Sequence, residues 1–186
     1  MISRVKEVEV KYRVPQNKVK KFINILKKTG AKFLGEQQEF DTYYSRPDKN
    51  FIKTRECLRI RTTAEKSELT YKPATTKKMR KNKKFWKKEV DINITGQVEE
   101  INELLQDLEY KKLITVMKRR KKYKIYDVEI TVDFIKKLGY FIELEVKSDD
   151  EVYALQTLDS YAVKFGLNED GIVNKPYRDL LMETKK

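Results

Sequence analysis

The sequence predicts an α+β fold built on a mainly antiparallel sheet with helices covering its apolar side. Three observations predict it. At least eight short segments alternate apolar and polar residues with period two, and three segments repeat apolar residues at helical spacing. The 186 residues hold only six Gly and four Pro, which suits one domain spanning 1–186 without long linkers.

The first strand runs over Val5 to Val14, with Val8, Val10, Tyr12 and Val14 on one face and Glu7, Glu9, Lys11 and Arg13 on the other. After Pro15, the spacing of Val19, Phe22, Ile23 and Leu26 predicts a helix over roughly Gln16 to Thr29, with Gly30 placed to end it. Strands follow at Ala31–Leu34 and Phe40–Ser45, and Arg46-Pro47-Asp48 marks a turn. Leu58 and Ile60 alternate with Arg59 and Arg61, and Leu69 and Tyr71 with Thr70 and Lys72, which predicts a hairpin turning at Ala64–Ser67. A strand through Val90, Ile92 and Ile94 ends at Gly96, before a helix with the stripe Val98, Ile101, Leu104, Leu105 and Leu108. Further strands are read at Leu113–Lys118, Lys122–Tyr126, Val128–Phe134 and Phe141–Val146. A long helix then carries Val152, Leu155, Leu158, Ala162 and Phe165, and a short apolar tail holds Tyr177, Leu180 and Leu181.

Composition narrows the chemistry. No His occurs, so Ser-His-Asp and Cys-His catalysis and imidazole-bound zinc are excluded. One Cys, Cys57, cannot form an internal disulfide and is read as a packing residue. The absence of a signal-like segment and of any apolar run near 20 residues predicts a cytoplasmic protein with no membrane partner. Lys and Arg number 42 against 29 Asp and Glu, a net charge of +13 that calls for a polyanionic partner.

The charges are sorted along the strands. Lys11, Arg59, Arg61, Lys72, Lys118 and Arg120 supply cations at alternating positions, and Glu7, Glu9, Glu89, Asp133, Glu143 and Glu145 supply carboxylates. Turned inward in a closed sheet of about eight strands, these faces would line a narrow charged interior. Buried charges are costly unless paired or bound to ions, so such an interior implies a polyanion and a metal. The pairs Glu7/Glu9 and Glu143/Glu145 each project two hard oxygen ligands to one side of a strand, which favours Mg²⁺ or Mn²⁺ over zinc.

Glu7-Val8-Glu9-Val10-Lys11 resembles the E-x-E-x-K motif of the CYTH, or triphosphate tunnel metalloenzyme, superfamily. The later order Arg59-Ile60-Arg61, Lys72, Glu89, Lys118, Arg120, Asp133 and Glu143-Leu144-Glu145 is similar as well. The resemblance covers nearly the whole chain. It implies an eight-stranded antiparallel β-barrel, the triphosphate tunnel, with helices packed outside. It also implies metal ligation by Glu7, Glu9, Glu143 and Glu145, with Asp133 and Glu89 as further candidates. Phosphate binding would fall to Lys11, Arg59, Arg61, Lys72, Lys118 and Arg120, with Lys72 and Asp133 as candidates to act on the reacting phosphate.

Phe40-Asp41-Thr42-Tyr43-Tyr44-Ser45-Arg46-Pro47-Asp48, with Phe51, is similar to the class IV adenylyl cyclase branch, which implies conversion of ATP to cyclic AMP and pyrophosphate. Cyclases of that branch often carry His-Phe ahead of E-x-E-x-K, and this chain does not. Hydrolysis of thiamine triphosphate, tripolyphosphate or a nucleoside triphosphate therefore stands as the alternative.

A nucleic-acid partner is the competing class. Lys77–Lys88 has eight basic residues in twelve around Phe85-Trp86, and Lys118–Lys124 has six in seven. Both are read as solvated loops or turns, or as a basic lid that draws in a triphosphate. Lys175–Arg178 is expected to position the C-terminal tail.

Overall fold

Alternation becomes register in the computed structural model, which describes residues 6–74, 80–81, 84–87 and 89–184. The fold is α+β and its strand pairings are antiparallel. The chain forms two compact units. The first takes Met1–Glu36, Lys78–Lys87 and Arg119–Asn174; the second takes Gln37–Lys77, Lys88–Lys118 and Lys175–Lys186.

In the first unit β1 (Lys6–Val14) pairs with β10 (Gly139–Ser148), β10 with β9 (Val128–Ile135), and β9 with the C-terminal half of β8 (Lys111–Ile125). On the other side of β1 lies the short hairpin of β5 (Arg80–Lys81) and β6 (Lys84–Lys87). Helix α1 (Gln16–Lys28) ends at Thr29, whose hydroxyl donates to the carbonyls of Ile25 and Leu26 before Gly30 takes a φ of +82°. Asp150 caps α4 (Glu151–Lys164) by accepting from the amides of Val152 and Tyr153. Val19, Phe22 and Leu26 of α1 and Ala154, Leu158 and Ala162 of α4 join Val8, Val10, Ile130, Val132, Leu144 and Val146 in one core. Each of the Val, Leu, Ile and Phe side chains among them contributes about 1.5–3 kcal/mol when fully removed from water. The predicted stripe on α4 is turned slightly: Val152 is exposed and Ala154 takes its place in the core.

In the second unit the order is β8, β2 (Lys32–Ser45), β3 (Cys57–Thr62), β4 (Ser67–Lys72), β7 (Val90–Asn93). The one-turn helix α2 (Phe51–Thr54) is capped by Asn50, and Arg55 turns the chain into β3 with a φ of +59°. Tyr44, Phe51, Leu58, Ile60 and Ile94 pack with Leu105 of α3 (Val98–Asp107). Leu104 and Leu108, placed on the predicted stripe, are exposed. The apolar tail is helical, α5 (Tyr177–Glu183), and buries Tyr177 and Arg178.

Two pairs of predicted strands are single long ones. Residues 32–34 and 40–45 fall in the fourteen-residue β2, and 113–118 and 122–125 in the fifteen-residue β8, while Ala31 precedes the first and Tyr126 turns the chain after the second. The supposed interruption, Lys118–Lys124, is not a loop. Lys118, Arg120, Lys122 and Lys124 lie on one face of β8, while Arg119, Lys121 and Tyr123 lie on the other, so the run is not a contiguous basic surface. Half of the other basic segment, Lys77–Lys88, lies outside the described residues, and its described half is strand, β5 and β6, rather than loop.

Candidate active site

Antiparallel register places the first unit's alternating charges in rows. Across β1, β10, β9 and β8 the rows read Glu9–Glu145–Glu129–Lys124, then Lys11–Glu143–Thr131–Lys122, then Arg13–Phe141–Asp133–Arg120, with Glu7 opposite Lys147 at one end. The third row is locked by a buried ion pair. Arg120 donates from Nε to Asp133 Oδ1 at 2.7 Å and also bonds Asp133 Oδ2, and its NH2 reaches Glu143 Oε2 at 2.6 Å. Lys11 Nζ stands 3.7 Å from Glu143 Oε1.

The first row has no such balance. Three carboxylates stand in line against one lysine, and directly opposed like charges repel. Burial, together with the charges of Glu7 and Glu9, pushes the Glu145 carboxyl up from 4.5 to about 7. Lys147 compensates in part, 2.7 Å from Glu7 Oε1 and 3.5 Å from Glu145 Oε1. A concentration of hard oxygen donors only partly balanced by Lys124 and Lys147 suits a divalent cation. As the side chains stand, no three acidic groups among the described residues converge closely enough to hold an ion. The donor chemistry fits Mg²⁺ or Mn²⁺, and Glu7, Glu9 and Glu145 are the residues that would hold it.

The second unit gathers cations around a buried acidic floor. Glu39 and Asp41 are both fully buried on β2. Arg61, on β3 directly opposite Asp41, donates from Nε and NH2 to its two carboxylate oxygens at 2.6 and 2.9 Å. Lys118 Nζ reaches Asp41 Oδ2 at 2.8 Å and Glu39 Oε2 at 3.0 Å. Burial alone would raise the Asp41 carboxyl, but Lys118, Arg61 and Arg59 hold it well below the usual carboxylate range. Arg59 is held differently. Its contacts to Thr70, Glu89 and Asp41 are long, at 3.4, 3.5 and 3.8 Å, and its buried Nε has no hydrogen-bond partner among the described residues. Burial opposes its charge, yet Asp41 keeps the guanidinium firmly protonated. Lys72 Nζ lies 2.6 Å from Glu89 Oε2.

The expected residues therefore divide by unit. Glu7, Glu9, Lys11, Arg120, Asp133, Glu143 and Glu145 belong to the first, and Arg59, Arg61, Lys72, Glu89 and Lys118 to the second. Glu89, Asp133 and Glu143 already neutralise cations.

Sequence reasoning missed three participants. Glu39 lies just outside the predicted strand, Asp41 enters only through a resemblance, and nothing local sets Glu129 apart from the other charges of its strand. Extending the alternation Gln37–Glu39–Asp41–Tyr43 would have found the first two. Cys57 is not core packing. It lies half-buried on the same face of β3 as Arg59 and Arg61, directly opposite Lys72. Tyr44 is in the core, while Tyr43, equally buried, stands opposite Arg59 on the charged face.

Residues 5–171 match the model of the CYTH domain. A protein of Methanocaldococcus jannaschii whose name assigns it provisionally to the adenylate cyclases (MJ0240) is 30% identical over 180 residues, covering 94% of this chain and 97% of that protein. Adenylate cyclase CyaB of Aeromonas hydrophila is 27% identical over 178 residues, covering 94% of this chain and 87% of its own length. Among solved structures, the PH1819 protein of Pyrococcus horikoshii OT3 superposes with a TM-score of 0.82 at 28% identity, covering 96% of this chain and 99% of that one. The family includes adenylyl cyclase-like members. No described helix is long and apolar enough to cross a membrane. The match over residues 5–171 makes this chain a member of the CYTH domain family.

Proposed function

We propose that this chain is a Mg²⁺- or Mn²⁺-dependent enzyme of organic triphosphates, of the adenylyl cyclase type. The observation that carries the reading is the first unit's unbalanced row, Glu9–Glu145–Glu129, beside a Glu145 carboxyl pushed up to about 7. A purely structural sheet has no use for such a row, and the names of the similar proteins agree with an ATP substrate.

In the reaction the ribose 3′-oxygen forms a bond to the α-phosphorus, the bond from that phosphorus to the bridging oxygen breaks, and pyrophosphate leaves as the hydroxyl proton passes to solvent. Glu7, Glu9 and Glu145 hold the metal, with Glu143, Asp133 and Glu89 as additional carboxylates. A bound divalent ion supplies Lewis-acid charge to phosphate oxygens and lowers the pKa of a hydroxyl. Arg59, Arg61, Lys72, Lys118, Lys11 and Arg120 neutralise the phosphate chain. Arg59 leads among them because its donors are held by long contacts only, whereas Arg61 and Arg120 are committed to bidentate carboxylates. Lys72, beside Glu89 in the second unit, orients the reacting phosphate, and Asp133 in the first unit holds Arg120 in place.

Phosphorus NMR of the protein with Mn²⁺ or Mg²⁺ and, separately, ATP, thiamine triphosphate and tripolyphosphate tests this. Cyclic AMP and pyrophosphate from ATP are the expected products. Orthophosphate from any of the three would instead make the chain a triphosphatase, and no turnover in any tube would refute the enzymatic reading.

A further inference from the structure

Helix α5 brings two consecutive side chains to the cations of the second unit. Tyr177 places its ring 5.7 Å from Lys118 Nζ. Arg178 is the more telling of the two, because only 2% of it is exposed. Its Nε donates to Asp179 Oδ1 at 2.8 Å, its NH1 donates to the backbone carbonyl of Glu56 at 3.1 Å, and its guanidinium carbon lies 5.6 Å from the centre of the Tyr43 ring. A chain end that needed only anchoring would be served by an apolar side chain, without the cost of desolvating a guanidinium.

The anchor at one end of Arg178 is rigid. The Glu56 carboxylate accepts from Lys49 at 2.9 Å, Thr54 at 2.6 Å and Tyr71 at 2.7 Å, so the backbone that receives Arg178 is tied to three other points of the unit. At the other end stands Tyr43, which is the direct cross-strand partner of Arg59. Arg59 is the cation of this face with long contacts and a buried unpartnered Nε, so few bonds of its own determine where its guanidinium points.

We infer that Arg178 is a positioning residue: clamped to the Glu56 backbone, it fixes the Tyr43 ring and thereby the direction in which Arg59 presents its donors to a phosphate. The inference rests on the proposed role of Arg59 as a phosphate-binding group. A planar fork can bond a carbonyl and lie over a ring at once, whereas an ammonium cannot reproduce both.

Titration calorimetry with sodium tripolyphosphate, without metal, tests it in Arg178→Lys, Tyr43→Leu, Tyr43→Phe and Arg59→Ala, and in Arg178→Lys and Tyr43→Leu each combined with Arg59→Ala. Arg178→Lys and Tyr43→Leu should each weaken binding five- to tenfold. Tyr43→Phe, which keeps the ring, should rescue the Leu variant's loss to within twofold of the parent. Neither Arg178→Lys nor Tyr43→Leu should weaken binding further once Arg59 is alanine. Thermal melts check that each variant is folded, and if Arg178→Lys does not fold, the Tyr43 variants alone and with Arg59→Ala decide the matter. Parent-like binding in Arg178→Lys and Tyr43→Leu, or losses that persist in full without Arg59, would overturn the positioning role. Parent-like binding in Arg59→Ala itself would overturn the phosphate role of Arg59, a separate failure.

Discussion

Replacing Glu145 with Gln should make the metal-free protein more stable at pH 8 and should do nothing for it at pH 4. Glu145 sits between Glu9 and Glu129, and its carboxyl is pushed up from 4.5 to about 7, first by burial and then by Glu7 and Glu9. A carboxyl with a raised folded-state pKa binds more protons in the native than in the unfolded chain between those two values. The stability it contributes is therefore fully present below about 4.5 and is lost as pH rises through about 7.

At about 1.4 kcal/mol per tenfold change in proton affinity, the whole rise corresponds to roughly 3 kcal/mol as an upper bound. The Glu145 side chain is 26% exposed, and the Gln variant gives up the 3.5 Å contact to Lys147, so about 1–3 kcal/mol is the working range. For a chain of this size that is a rise in Tm of roughly 3–10 °C. Thermal melts of both proteins in EDTA from pH 4 to pH 8.5 provide the assay. Mn²⁺ added at pH 8 should raise the Tm of the parent, because a bound cation relieves the same repulsion, and should raise that of the variant much less. A Gln variant less stable than the parent at pH 8, or a difference that does not vary with pH, would refute the electrostatic reading of this row.

Glu9→Gln should leave the fold intact and abolish Mn²⁺- or Mg²⁺-dependent turnover of whichever triphosphate the NMR experiment identifies; full activity in this variant would remove Glu9 from the metal-holding set. Asp133→Asn removes the bidentate carboxylate from the buried Arg120, and breaking a buried pair in this way should cost about 3–5 kcal/mol in urea unfolding. An unchanged unfolding midpoint would show that Asp133 serves chemistry rather than the scaffold. 

Much of the framework is written in local periods. Period-two alternation places Glu7, Glu9 and Lys11 on one face of β1, and Arg59 and Arg61 on one face of β3, without any knowledge of their neighbours. Helical spacing likewise picked out Val19, Phe22 and Leu26 of α1 as buried residues. The acidic pairs and the basic ladder are enough to suggest a polyanion and a hard metal ion, and the resemblance to the CYTH superfamily makes that polyanion a triphosphate.

Other features required the folded chain. Strand length was misread where charges crowd, because Lys118–Lys124 has little apolar alternation and its continuity depends on partners β9 and β2. Register is non-local by nature: only pairing reveals that Glu9, Glu145 and Glu129 form one row, while Glu143, two residues away from Glu145, is balanced by Lys11 and Arg120. The burial of Glu39 and Asp41 was hidden for the same reason, since a carboxylate on a strand carries no local mark of whether an arginine stands opposite it. The sequence by itself thus determined which charges share a strand face, because that follows from backbone geometry within a few residues. Tertiary structure decided which of those charges cancel, because cancellation depends on distances between residues far apart in the chain.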